Sequence, residues 1–299
     1  MSLSAALPKI STNVRFAASR FIFPELAGAL AERLFLTPPR APDAAAAALD
    51  LIDARSGIVE HKGRAIVTWR WGSRDAPAVL LAHGWGGHAA QMRGFVFPLL
   101  CAGYRVIAYD QPAHGVSEGR LTGLPDFAAV MTEVAWHHGG VHGVIAHSMG
   151  GAGTALAIAH GLRVGRVVTI GASLDFSFFS RQFARWHWIP QRVVAAMQSA
   201  IEERFGVRWA DLDPAKLAPR LTAPALVIHD RHDRTVPWHQ GASFARGWPG
   251  ARLYSTHGLG HRRILQDERV ASLAAEFIAG RSSVADVAAP AMPNPSPLY

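Results

Sequence analysis

The chain has 299 residues, 49% hydrophobic and 17% charged, which suits one large α/β domain with an insertion or two modest domains. Its formal net charge is +8, but only Lys9, Lys62 and Lys216 are lysines and the basic residues form no run of like charges, so a nucleic-acid surface is not expected. A single cysteine, Cys101, excludes an intramolecular disulfide, and its place in the apolar run Phe95–Cys101 reads as a buried core thiol.

Residues 1–55 read as an N-terminal helical arm. Apolar residues recur at helical spacing over Phe16–Leu36, a break at Pro38, Pro39 and Pro42 follows, and Asp43–Ala54 is an Ala-rich helix candidate. The acids among its charges favour an arm packed on the domain over a membrane-surface helix. Arg15, Arg20, Pro24, Glu25, Glu32 and Arg33 interrupt the apolar stretches. Neither a secretory signal nor a stable membrane insertion is therefore expected, and the default location is cytoplasmic.

From residue 56 the pattern changes. Gly57–His61 and Ala65–Trp71 alternate like an antiparallel hairpin joined at Lys62-Gly63. Ala78–Ala82, Arg105–Tyr109, Gly143–Ala146, Arg166–Ile170 and Ala225–His229 are short apolar runs of the kind buried on both faces in a parallel sheet. Helix-length segments Ala89–Ala102, Gly123–His138 and Gly151–Gly161 lie between them, Arg252–Ser255 is the last strand, and Ile264–Gly280 is the closing helix. This alternation predicts a doubly wound α/β fold, a mostly parallel sheet covered by helices on both faces, built from residues 56–172 and 223–280. Residues 173–222 interrupt it as an insertion of two or three helices. Residues 281–299, rich in Pro, Ala and Ser, are expected to be a disordered tail.

Four motifs follow predicted strands. Ala146-His147-Ser148-Met149-Gly150-Gly151 stands between a strand and an Ala-rich helix. Small residues two positions either side of a serine let a sharp strand-to-helix turn close and lift its Oγ clear of the backbone. His83-Gly84-Trp85-Gly86-Gly87 is a Gly-rich turn after the strand Ala78–Ala82, and Asp110-Gln111-Pro112-Ala113-His114-Gly115-Val116-Ser117 follows the next strand. Leu226–Pro237 runs from a buried strand into a polar turn holding Asp230 and Asp233, and Thr256–His261 places two glycines ahead of a histidine.

Together, over roughly residues 57–280, these motifs resemble the α/β-hydrolase family, in its serine esterase and lipase-like branch with a helical cap. Ala146 stands where the family's elbow has its first Gly, and Ala113 where its D-x-x-G-x-G-x-S loop has Gly. The resemblance implies that Ser148 is a nucleophile, His261 its base and Asp233, in a D-x-x-V-P context, the orienting acid, in the chain order Ser, Asp, His. It also implies that the N–H groups of Trp85 and Met149 form an oxyanion hole, with the Trp85 indole at the mouth of the site. The Asp110–Ser117 loop would brace the elbow, and His114 is assigned no chemistry. Asp230 and Asp175 remain rivals for the acid and His257 for the base.

In the family, an insertion such as 173–222 forms a cap over the nucleophile, and its aromatic first half supplies Phe176, Phe179 and Trp186 as candidate substrate contacts. The expected activity is cleavage of small carboxylic esters of short to medium acyl chain through an acyl-enzyme, without a cofactor. The same triad serves thioesters, amides or a carbon–carbon bond, and a binding module on the same scaffold is a further reading. His137, His138 and His142, or His229 and His232, match no metal-ligand spacing, so no metal is expected. The sequence does not read out an oligomeric state.

Overall fold

The computed structural model describes residues 24–40, 43–49, 51 and 53–281. Eight strands form one sheet in the order β1-β2-β4-β3-β5-β6-β7-β8. The strands are β1 (Arg55–His61), β2 (Arg64–Trp71), β3 (Ala78–Ala82), β4 (Arg105–Tyr109), β5 (Gly143–His147), β6 (Arg166–Ile170), β7 (Ala225–Asp230) and β8 (Arg252–Thr256). β1 pairs antiparallel with β2 and β2 with β4, while every other pairing is parallel. The β1–β2 hairpin closes through two residues, Lys62 at φ 51° and Gly63 at φ 71°. Positive φ at both positions gives a turn whose twist matches that of the flanking strands.

The central strands read as unbroken apolar runs because both faces are covered. On one face Val79, Leu81, Val106, Ile145, Val168 and Leu226 join a core with Phe95, Leu99, Val270, Ala274 and Phe277. Those partners come from the helical turns Ala89–Cys101 and the closing helix Glu268–Ile278. The opposite face carries the helix Met149–Ala159, buried along its whole length, with Leu124–His137 packed against it. Glycine permits that approach: a Cβ on Gly153 would come within 3.0 Å of Phe127 Cβ, and one on Gly151 within 2.6 Å of Ala172 Cβ.

The doubly wound fold class therefore holds. Three details differ from expectation. Ala89–Ala102 holds a 3₁₀ stretch, Ala89–Phe95, followed by a short α-helix, Val96–Cys101, and among its described residues the Ala-rich segment 43–54 is helical only over Ala44–Leu49. Cys101 is exposed, because it ends that short helix on its outward face.

The chain divides into two compact units. One is the sheet with its covering helices, described above, and it includes residues 212–222, whose Leu212, Leu217 and Leu221 are buried. The other joins the N-terminal helix Pro24–Phe35 to Asp175–Asp211, which holds the helices Phe176–Trp186 and Gln191–Phe205. Here a Cβ on Gly28 would lie 2.6 Å from Ala196 Cβ, so two helices pass close together, and Glu32 pairs with Arg204. Phe35 meets Phe176 and Phe183 edge-on at 6.0 and 5.1 Å. No helix among the described residues is long and apolar enough to cross a membrane. The expected tail 281–299 lies, beyond Arg281, outside the described residues, as does the arm before residue 24.

Candidate active site

Strand order reverses direction at β3 and β5, and in open α/β sheets the crevice beyond the carboxyl ends of the strands at such a point is where ligands bind. Both key motifs stand there: His83–Gly87 follows β3 and Ser148 follows β5. Ser148 has φ 52° and ψ −121°, a left-handed conformation for a residue with a side chain, and it is buried to 8% exposure. Such strain persists only where the surroundings over-determine it. A Cβ on Gly84 would lie 2.8 Å from Ser148 Cβ, and one on Gly150 2.6 Å from the His83 carbonyl. Any larger residue at either position would push the His83–Gly87 loop off the elbow. Ala146, by contrast, is an ordinary strand residue paired with Ala82 and Thr169, so its methyl group fits. Ala113 takes φ 64°, a conformation that favours glycine.

The structure brings Ser148, His261 and Asp233 together. Asp233 Oδ2 accepts a hydrogen bond from His261 Nδ1 at 2.7 Å, and that tautomer leaves Nε2 to accept from Ser148 Oγ at 3.1 Å. Asp233 Oδ1 accepts from the N–H groups of Thr235 and Val236, each at 2.8 Å. Burial alone would raise the Asp233 carboxyl. The close approach of His229, the bond from His261, the His261 charge and the Val236 N–H together outweigh burial and hold it well below the usual carboxylate range. Asp230 faces elsewhere: its oxygens accept from Thr256 Oγ1 at 2.8 Å and from the N–H groups of Leu259 and His232 at 3.0 and 2.9 Å. It ties β7 to the loop that carries His261. Asp175 caps the helix Phe176–Trp186 by accepting from Phe178 N–H at 2.9 Å, and the His257 ring lies 6.1 Å from that of His232.

Met149 opens the helix Met149–Ala159, so its N–H is one of the groups at a helix start that lack an intrahelical acceptor. Trp85 is half-buried, its indole 5.4 Å from the His114 ring and stacked at 6.4 Å on Phe127. Of the candidate substrate contacts, Phe176 is buried in the helical unit against Phe35 and Trp209, Phe179 packs on Phe178, and Trp186 is exposed.

Sequence reasoning gave no role to four buried histidines that lie around this triad. His83 Nδ1 donates to the Gly84 carbonyl at 2.7 Å while Nε2 accepts from Gln111 N–H at 2.9 Å. His114 Nδ1 donates to the Pro112 carbonyl at 3.0 Å and Nε2 accepts from Gly86 N–H at 2.9 Å. Each ring is thus satisfied in its neutral form; burial pushes His83 well down and His114 down to about 4. His147 Nε2 donates to the His261 carbonyl at 2.9 Å, the two rings lie 4.6 Å apart, and burial lowers His147 to about 3. His229 Nε2 donates to the Val236 carbonyl at 2.8 Å, 3.5 Å from Asp233 Oδ2. Gly171, after β6, was missed as well: a Cβ there would reach within 3.2 Å of His261 Nδ1. The histidines were visible as letters, but nothing in their spacing signals burial. Among the described residues, no three His, Cys, Asp or Glu side chains group as metal ligands.

The sequence pattern of the alpha/beta hydrolase fold matches residues 77–200. The chain is 30% identical to the magnesium-chelatase 30 kDa subunit of Rhodobacter capsulatus, over 64% of this chain and 82% of that protein. It is 37% identical to a non-heme chloroperoxidase of Streptomyces lividans, over 64% of this chain and 87% of that one. In three dimensions it resembles an esterase from Rhodococcus sp. ECU1013 with a TM-score of 0.57 at 20% identity, covering 77% of this chain and 100% of that structure. With the strand order, the strained Ser148 turn and these relatives in hand, the chain belongs to the alpha/beta hydrolase fold family.

Proposed function

We propose that the chain is a serine hydrolase that cleaves carboxylic esters of short to medium acyl chain through an acyl-enzyme. The observation that carries this reading is the continuous contact from Asp233 Oδ2 through His261 to Ser148 Oγ, at 2.7 and 3.1 Å. His261 Nε2 takes the proton as Ser148 Oγ attacks the ester carbonyl, and the N–H groups of Trp85 and Met149 hold the oxyanion. The alcohol departs with the proton from His261. Water, deprotonated by the same ring, then releases the acid. Asp233 holds the ring in the tautomer that the first step needs.

The test is fluorophosphonate labelling together with turnover of p-nitrophenyl esters from acetate to palmitate, on the wild type and Ser148→Ala. Labelling of Ser148 is expected, with the highest kcat/KM at short to medium chains. Ser148→Ala should lose at least about a thousandfold in kcat. Unchanged turnover in that variant overturns the mechanism, and a maximum at palmitate overturns the chain-length assignment.

A further inference from the structure

A cavity of about 580 Å³ opens beside His261, lined by Arg234, Arg262 and Arg263 with His232, Thr235 and the turn Gly258–Gly260. Its volume falls in the range of small-ligand sites. No Asp or Glu contributes to the lining. The neighbouring carboxylates are committed: Asp230 to Thr256, Leu259 and His232, Asp233 to His261, and Asp267 to the Val270 N–H at 2.9 Å. Arg263 is anchored on the Gly258 carbonyl at 2.7 Å, while among the described residues neither Arg234 nor Arg262 forms an ion pair. Basic residues are scattered along the sequence, so a cavity lined by three arginines and by no acidic residue is a local feature.

We propose that this cavity binds an anionic group of the substrate, a carboxylate or a phosphate. The proposal rests on the ester-cleaving reading above and adds a substrate class to it. Guanidinium groups offer paired N–H donors matched to the oxygens of either anion. Position adds a second argument, because His261 itself lines the cavity. An anionic group held in the cavity therefore lies beside the proposed base, within the span of one small substrate.

The experiment compares matched esters that differ in one charge. On the acyl side, p-nitrophenyl hemiglutarate is set against its methyl ester; on the alcohol side, para-acetoxybenzoate against methyl para-acetoxybenzoate. For at least one pair the wild type should favour the anion by roughly five- to tenfold in kcat/KM, as two exposed charge-assisted contacts allow. That ratio should fall to near unity in the Arg234→Gln/Arg262→Gln double variant, and also in the wild type at about 1 M salt, where the screening length shrinks to about 3 Å. A ratio at or below one for both pairs, or one that survives in the double variant, overturns the proposal. Calorimetric titration of glutarate and of inorganic phosphate into the full chain separates the carboxylate from the phosphate. It also reads the site without turnover: Ser148→Ala should bind like the wild type and the double variant several-fold more weakly. Binding without any ester turnover leaves the anion site standing and removes the ester reading; equal binding by the double variant removes the anion site.

Discussion

The two loop systems that meet at Ser148 solve opposite electrostatic problems. On the acid side, after β7 and β8, Asp230 and Asp233 are both held below the usual carboxylate range, despite burial, by donors that converge on their oxygens. On the other side, after β3 and β4, burial wins. His83 and His114 are kept neutral, and the Asp110 carboxyl is pushed up to about 6 because the N–H groups of Ala89 and Val116 only partly offset its desolvation. The difference teaches that burial alone does not set a charge; the number of donors aimed at the charged form does. One side carries a fixed negative charge for His261 to lean on. The other offers a neutral frame for the His83–Gly87 loop.

The largest effect should come from removing the charge on the acid side. Asp233→Asn should lower kcat by roughly 10⁴ by disturbing the tautomer of His261. Asp230→Asn, whose carboxylate braces the loop and does not touch the ring, should cost far less in kcat and show chiefly as a lower Tm. Measured kcat and Tm for both variants decide it: an Asp230 variant that is crippled but fully stable, beside an active Asp233 variant, breaks the comparison.

A middle-sized effect is expected where the two systems touch. His147 donates across the site to the His261 carbonyl, so His147→Leu leaves that buried acceptor unpaired and lets the base drift. Loss of one such bond costs about 1 to 2 kcal/mol, or roughly tenfold in kcat with KM little changed. His147→Gln, which carries a donor at similar reach, should restore most of it. Equal losses in both variants would mean that the ring matters only for packing.

The smallest effect sharpens the neutral side. The folded value of Asp110 lies above its ordinary 3.8, so the folded state binds the proton more tightly than the unfolded chain. Its contribution to stability is therefore full below the unfolded value and is lost as pH rises through about 6. Between pH 7 and pH 5 this group should add about 1 kcal/mol, read by urea unfolding against Asp110→Asn, in which that pH-dependent increment disappears. An increment of equal size in the variant would place its source elsewhere.

Much of this molecule was legible in the sequence because the governing physics is local. Short apolar runs alternating with helical segments specify strands buried on both faces, and five of the six strands with a parallel partner, β3 to β7, formed where such a run stood. The turn at Ser148 was legible because close approach leaves no room for a side chain on Gly150, and the chain records that as a glycine. The family's order of Ser148, Asp233 and His261 marked the residues that converge. What the tertiary structure alone decided was which group faces which. Asp230 and Asp233 stand three residues apart in one polar turn, and only the fold of that turn sends one to His261 and the other to Thr256 and Leu259. His83, His114 and His147 became buried neutral braces, and Arg234 joined Arg262 and Arg263 around one cavity, through loops distant in sequence that meet at the carboxyl edge of the sheet. Burial and charge proximity are properties of that meeting, and no local pattern encodes them.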